Sequence, residues 1–354
     1  MRPGRNCYSP LAGPVAVLVE TLWMVHGTSF ARYDMHAILV DKQKELIWSK
    51  VPDPVLKDNE VLIEVHAAAL NRADLMQRAG DYPPPPGWPE WMGLEVAGIV
   101  LNAPKFSRWK QGDKVCALLG GGGYAEKVAV PADMVLPIPE GLSMVEAASI
   151  PEAFTTSYLN LCLEGGIKAG DTVLIQAGAS GLGIAAIQLA KELGATIMTT
   201  VGSEDKARFV REIGADIVIN RRKEDLGAVM EAHPVDIAMD CVAGTTLGSN
   251  ILKMAPGGRW IVIATLAGPM TQIDMNVFFR RGLKLIGSTL RSRTSATKAK
   301  ILAELESRLW DKFSSGKIRP VIYQTLPMAT HAEEAHAILQ NQENIGKVVL
   351  TLQP

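Results

Sequence analysis

Between residues 172 and 287 apolar strands alternate with amphipathic helices, and nothing else in the chain restricts its fold so tightly. TVLIQAG leads to IAAIQLAKELG, TIMTTVG leads to DKARFVREIG, and DIVIN, DIAMDCV, RWIVIAT and LKLIGST continue the series. A strand that is apolar on both sides must be covered on both sides, and helices ending in Gly return the chain for the next parallel strand. The pattern predicts a doubly wound parallel sheet of the α/β class.

From Met35 to about residue 130 the period changes to that of strands and turns: HAILV, LIW, VLIEVHAAAL, VAGIVL, KVCALL and YAEKVAV, punctuated by Pro and Gly. Near Ser143 it changes again, because SMVEAASIPEAFTTSYLNLCLEGG sets apolar residues at helical spacing, with Ser143 and Glu146 spaced as a capping box. After about Thr297 come a helix, TKAKILAELESRLW, the strand VIYQTL, a helix around EEAHAILQ and a last strand, KVVLTL. These late β pieces are expected to rejoin the first domain. At 354 residues the chain exceeds one ordinary core. The expected division is an N-terminal extension without folded structure over 1–34, a mostly-β domain over 35–154 completed by 291–354, and the parallel-sheet domain over 155–290.

The balance of 36 basic against 37 acidic side chains offers no general field for a phosphate backbone or an anionic membrane, so no nucleic-acid partner is expected. The apolar run LAGPVAVLVETLWMVHG is broken by Gly, Pro and Glu and falls short of the roughly 20 residues a membrane helix needs. No membrane span is expected. Because the segment is basic and acid-poor it also admits an organelle-targeting role, but its apolar centre is interrupted and no clear cleavage site follows. Cys7, Cys116, Cys162 and Cys241 lie far apart without a C-x-x-C pair, which suggests free thiols in a reducing, cytoplasmic compartment.

The strand TVLIQ runs into AGASGLG and then a helix, the setting in which a glycine fingerprint carries meaning. The frame is Gly178-x-Ser180-x-x-Gly183, with Ser180 where a middle glycine usually sits. A pyrophosphate can approach the backbone of such a turn, and the helix N-terminus stabilises its charge. Gly178, Ser180, Gly181, Leu182 and Gly183 are therefore candidate cofactor contacts, although the motif alone also describes a plain tight turn. At the end of the second strand an NAD enzyme usually places an acid for the ribose 2′-hydroxyl. TTVGSEDK instead places Gly202 and Ser203 there, with Lys206 close behind and Arg221 ending the next strand. Cations and donors suit a 2′-phosphate, so NADPH is expected in preference to NADH. Glu204 and Asp205 run against that expectation, and Arg221, Arg222 and Lys223 read equally as a solvated run.

The segment ALNRADLMQRAGDYPPPPG follows the alternating third strand. Asn71 suits the N-cap of RADLMQRAG and also carries an amide donor. Tyr82, ahead of four prolines, is either a loop aromatic on proline rings or the wall of a site. Arg72 and Asp74 read as ordinary loop residues, and Gly120 to Gly123 as a flexible connection between strands.

ALNRADLMQRAGDYPPPPG, GLEVAG, AGASGLG, STLRSR and the closing NIGKVVLTL together resemble the zinc-free quinone oxidoreductases of the medium-chain dehydrogenase/reductase superfamily, nearest to the p53-inducible branch. The resemblance runs from about Met35 to the end. It implies a GroES-like mostly-β substrate domain plus a Rossmann domain, NADPH as reductant, a quinone as substrate and a homodimer. Zinc-dependent relatives carry a cysteine and a histidine where this chain has Asn71 and Leu94, so no metal is expected. The resemblance further implies that Tyr82 and Ser180 stand in the active site, and that Thr156 and the strand-end residues Ala264, Thr265 and Leu266 touch the cofactor. Arg291 is implied to reach the 2′-phosphate or substrate, with a surface or dimer role equally open. Arg221 departs from the tyrosine common in that branch.

Without a metal, the oxygen that gains charge as hydride arrives needs hydrogen-bond donors. Asn71 and Tyr82 are the candidates, the phenol being protonated at neutral pH. Three functions stay open on sequence: an NADPH:quinone oxidoreductase, an enoyl-thioester reductase using NADPH, and a non-catalytic NADPH-binding protein of the crystallin or sensor type.

Overall fold

The computed structural model describes residues 35–352, and the expectations for the 1–34 extension lie outside them. The chain begins with a hairpin, β1 (Met35–Val40) against β2 (Leu46–Val51), and continues through β3 (Glu60–Ala69), α1 (Arg72–Ala79), β4 (Glu95–Asn102), β5 (Lys114–Leu118), β6 (Lys127–Pro131) and β7 (Val135–Pro137). β3 is the hub of this part, pairing antiparallel with both β4 and β6. Its alternation is that of a half-buried strand, and Val61, Ile63 and Val65 point into the core. Opposite it, a Cβ on Gly98 would fall 1.9 Å from the Glu64 carbonyl oxygen, so only glycine fits where the β3–β4 register shifts.

The helical stretch after Ser143 comes as two helices, α2 (Met144–Ala147) and α3 (Pro151–Tyr158). Pro151 lacks an N–H and takes the first turn of α3, where none is needed, restarting the helix. The Ser143–Glu146 cap forms reciprocally, at 2.9 and 3.3 Å.

Six parallel strands follow: β8 (Thr172–Ile175), β9 (Thr196–Val201), β10 (Ile217–Asn220), β11 (Ile237–Asp240), β12 (Arg259–Val262) and β13 (Lys284–Gly287). Between them run α4 (Gly181–Glu192), α5 (Glu204–Glu212), α6 (Leu226–Ala232), α7 (Gly244–Asn250) and α8 (Met275–Arg280). The spatial order β10-β9-β8-β11-β12-β13 is the doubly wound order, and these are the six strands expected from the apolar runs.

α9 (Ser295–Ser314) then carries the chain away, followed by β14 (Ile322–Pro327), α10 (Met328–Gln340) and β15 (Lys347–Thr351). β15 pairs with β3 through Val349 and Ala69, with β14 outside it, so the last strands belong to the seven-stranded sheet of the first part. The buried stripe of α9, Ile301, Leu302, Leu305, Leu309 and Phe313, lies at helical spacing, and Phe313 meets Phe154 of α3 edge-on at 4.9 Å. Each such side chain contributes about 1.5–3 kcal/mol by burial. This fastens the returning segment and aims β15 at the cleft.

Candidate active site

A cleft of about 650 Å³ opens at the carboxyl ends of the parallel strands, walled on the other side by residues from the β3–α1 junction, the Tyr82 loop and the start of β15. Its floor is the turn after β8. Ser180 N-caps α4 by accepting the Gly183 N–H at 3.0 Å, while the first helical N–H groups, of Gly181 and Leu182, have no intrahelical partner. An anion placed there meets free donors and the positive end of a helix. Two of the candidate glycines act by packing and do not line the cleft. A Cβ on Gly178 would lie 2.1 Å from Thr199 Oγ1, and one on Gly183 would lie 2.4 Å from the Ala177 carbonyl oxygen.

Along one side the cleft reaches Gly202, Ser203, Lys206, Arg221 and Arg222. The two acids that argued against a phosphate here are turned away: Glu204 accepts from Asn220 Nδ2 at 2.8 Å and Lys223 Nζ at 2.9 Å, and Asp205 pairs with Arg208. Lys206 donates to the Gln342 carbonyl at 2.6 Å and Arg221 to its side-chain oxygen at 3.2 Å. Burial and then the neighbouring Arg221 and Arg222 lower the Lys206 pKa, the mark of crowded cations without a carboxylate. Gln342, which the sequence reading missed, sits at φ 57° in the left-handed region and bridges both cations from the opposite wall. Thr156, Ala264, Thr265 and Leu266 line the same cleft.

The opposite wall is built around a buried ammonium. Lys347 Nζ donates to the Leu70 carbonyl at 2.7 Å, Asn71 Oδ1 at 2.8 Å and Glu95 Oε1 at 2.6 Å, which uses all three of its hydrogens. Glu95 is completely buried; it also accepts from Asn71 Nδ2 at 3.0 Å and, through Oε2, from the Glu152 N–H at 2.8 Å. Asn71 therefore differs from the expected free donor. Its amide hydrogens point to Glu95 and to the Ala69 carbonyl, and its oxygen receives Lys347. Neither Glu95 nor Lys347 was singled out from sequence, although a lysine opening the apolar strand KVVLT was a visible signal. Lys347 also explains a glycine: a Cβ on Gly181 would fall 2.2 Å from Lys347 Cδ. The glycine turn and the ammonium thus share one close contact.

Asp74 corrects another expectation, since it is buried. Its carboxylate accepts from the N–H of Asn71 at 2.7 Å, the N–H of Gly93 at 3.1 Å and the Tyr124 hydroxyl at 3.0 Å, bracing the entry to α1 and β4. Arg72 lines the cleft and donates to the Leu339 carbonyl at 2.8 Å.

Tyr82 lines the cleft, and Arg291 holds it from below. The Arg291 guanidinium lies 4.7 Å from the Tyr82 ring centroid, donates to the Tyr82 carbonyl at 2.8 Å and closes on the Gly120 carbonyl and Gln77 Oε1. Arg291 lines the cleft too, but its donors serve this loop, a different use from the expected phosphate contact. Burial raises the Tyr82 pKa, with Arg291 pulling against it, so the phenol keeps its proton. The Gly120–Gly123 run, expected as a flexible connection, is buried and closely packed: a Cβ on Gly120 would stand 2.6 Å from Trp88 Nε1, and one on Gly123 2.9 Å from Val96 Cγ1.

Among the described residues no three His, Cys, Asp or Glu side chains converge as a metal site requires, and no helix is long and apolar enough to cross a membrane.

Two protein-family descriptions match the chain: the alcohol dehydrogenase GroES-like domain over 57–140 and the zinc-binding dehydrogenase domain over 181–307. A quinone oxidoreductase of Sus scrofa is 31% identical over 310 residues, covering 86% of this chain and 92% of the relative. The quinone oxidoreductase of Homo sapiens is 29% identical over the same shares. Among solved structures, a mycobacterial protein complexed with NADPH is 27% identical with a TM-score of 0.78, covering 90% of this chain and 100% of that one. With its GroES-like part, its Rossmann part and this level of identity, the chain belongs to the quinone oxidoreductases of the medium-chain dehydrogenase/reductase superfamily.

Proposed function

We propose that the protein is an NADPH:quinone oxidoreductase that works without a metal, in the cleft between the glycine turn and Tyr82. The observation that carries this reading is the convergence on one cleft of a free helix N-terminus, a carboxylate-free group of cations and a fixed phenol. NADPH fits the first two. Gly181 and Leu182 would take its pyrophosphate, Lys206, Arg221 and Arg222 its 2′-phosphate, and Thr156 and Ala264–Leu266 its nicotinamide half. When bound, it supplies the hydride.

Zinc does not fit. Asn71 and Leu94 stand where metal-dependent relatives have ligands, and a metal among them would face the Lys347 ammonium already held by Asn71 and Glu95. The protein's own groups then carry the electrostatic work. Tyr82, oriented by Arg291, donates to the acceptor oxygen as charge develops there. Ser180 keeps its hydroxyl hydrogen free for a donor role while its oxygen caps α4. Asn71 takes a positioning role, holding Lys347 in place. A quinone becomes an aromatic hydroquinone, so orientation supplies much of the rate.

A homodimer is part of the same proposal. β13 is one edge of the parallel sheet; its Leu285 and, in the neighbouring α8, Met275 and Phe279 are exposed, an apolar edge that a second copy would cover.

The test is steady-state NADPH oxidation with 1,2- and 1,4-quinones beside a trans-2-enoyl-CoA. Turnover of quinones supports the proposal. Turnover of the thioester alone makes the protein an enoyl reductase, and tight NADPH binding with no acceptor reduced makes it a binding protein.

A further inference from the structure

One acid in the cleft is used by nothing described so far. Glu152 stands in the first turn of α3 and lines the same cleft as Tyr82. Its Oε1 accepts from Thr156 Oγ1 at 3.2 Å, and its Oε2 has no hydrogen-bond partner among the described residues. No cation among the described residues pairs with it either. Lys347 is committed to Glu95, and Lys298 Nζ donates to the Arg291 carbonyl at 3.0 Å. Its own N–H is held by Glu95, which sets a second, fully buried carboxylate beside it. Such a placement favours the neutral acid, whose O–H can donate one hydrogen bond.

We propose that Glu152 is the proton donor of this cleft, its carboxyl giving up the proton that the reduced acceptor takes, while Tyr82 orients the acceptor. The inference rests on the reductase reading above. In the step, the acceptor gains hydride and its electron pair from the dihydronicotinamide. The anion so formed then bonds the proton as the Glu152 O–H bond breaks, and the carboxylate left behind is reprotonated by water entering the cleft. One hydride and one proton complete a two-electron reduction.

The groups facing Glu152 decide when it is charged. Burial and then Glu95 of β4 push its pKa up, Lys298 of α9 and Lys347 of β15 pull it down, and the result is about 7. Tyr82 and Arg291 face it from the loops after α1 and β13. Tyr82 is moved the other way for an acid's purpose, since burial makes its phenol still less acidic. A donor whose pKa lies near the working pH transfers protons most effectively.

The experiment compares wild type, Glu152→Gln and Glu152→Asp between pH 5.5 and 8.5, with a 1,4-quinone and a trans-2-enoyl-CoA as acceptors and NADPH binding followed separately by fluorescence. On whichever acceptor the wild type reduces, its kcat/KM is expected to fall as pH rises through about 7. E152Q is expected to be slower by about 100-fold or more at pH 6 and to lose that pH dependence, with NADPH affinity retained. E152D should restore a titrating profile. An E152Q enzyme with wild-type rate and profile overturns the proposal and leaves the reductase reading standing. Failure of the wild type to reduce either acceptor overturns both.

Discussion

Lys347→Met removes the buried ammonium and keeps most of its stem, so its cost can be worked from the contacts it leaves behind. Glu95, with no exposed side-chain surface, would lose its 2.6 Å ion pair and keep only the Asn71 amide and the Glu152 N–H; the Leu70 carbonyl and Asn71 Oδ1 would also lose their donor. Breaking a buried pair from one side costs about 3–5 kcal/mol, because the remaining charge stays desolvated. At about 2 °C per kcal/mol for a protein of this size, the melting temperature should fall by about 6–10 °C. The double variant K347M/E95Q removes the stranded charge, and Asn71 can turn its freed oxygen toward the new amide, so at least half of the loss should return. Calorimetric melting of the three proteins in one buffer measures this. A K347M variant within 1 kcal/mol of wild type, or a double variant no more stable than K347M, would refute the view that the ammonium compensates Glu95.

Gly181→Ala puts a methyl 2.2 Å from Lys347 Cδ, beside the N–H groups assigned to the pyrophosphate; NADPH binding by fluorescence titration should weaken about tenfold or more, equivalent to 1.4 kcal/mol. Removing Lys206 or Arg221 should cost NADPH a charge-assisted bond, about 1.5–3 kcal/mol each, while NADH affinity changes little; equal losses for both cofactors would contradict the 2′-phosphate assignment. Glu152 also makes a stability prediction. Its folded pKa, about 7, lies above its ordinary 4.5, so the native state binds more protons between those values and the stability this confers is present below about 4.5 and lost as pH rises to about 7. Glu152→Gln should therefore be more stable than wild type at pH 8 by about 1–3 kcal/mol, allowing for partial exposure, with the gap closing by pH 4.5. A gap that is the same at both pH values would show that the carboxyl is not held neutral.

What could be read without coordinates was whatever repeats or is local. Apolar runs announced β8 to β13: the strands inside the sheet are apolar throughout because both of their faces are covered, while β13, at the edge, keeps an exposed Leu285. The Ser143–Glu146 cap and the strand–turn–helix at Ser180 are written in a few adjacent residues, and the cations at Lys206 and Arg221 follow the second and third strands at countable spacing. Tyr82 stood out because four prolines follow it. The sequence by itself thus determined the parallel-sheet and mostly-β parts, the cofactor class to expect and a phenol that the structure places in the cleft wall.

The tertiary structure decided the wall opposite the glycine turn. Lys347, Glu95, Asn71 and Glu152 come from β15, β4, the start of α1 and α3, and no local pattern links residues that far apart. They meet only because β15 returns to pair with β3. Their chemistry also depends on burial, which converts an asparagine from a free donor into a tether, an arginine from a phosphate ligand into a clamp on Tyr82, and raises the pKa of a glutamate in the first turn of a helix. The charge of a carboxyl is set by the groups that surround it in space, and those are known only once the chain has closed on itself.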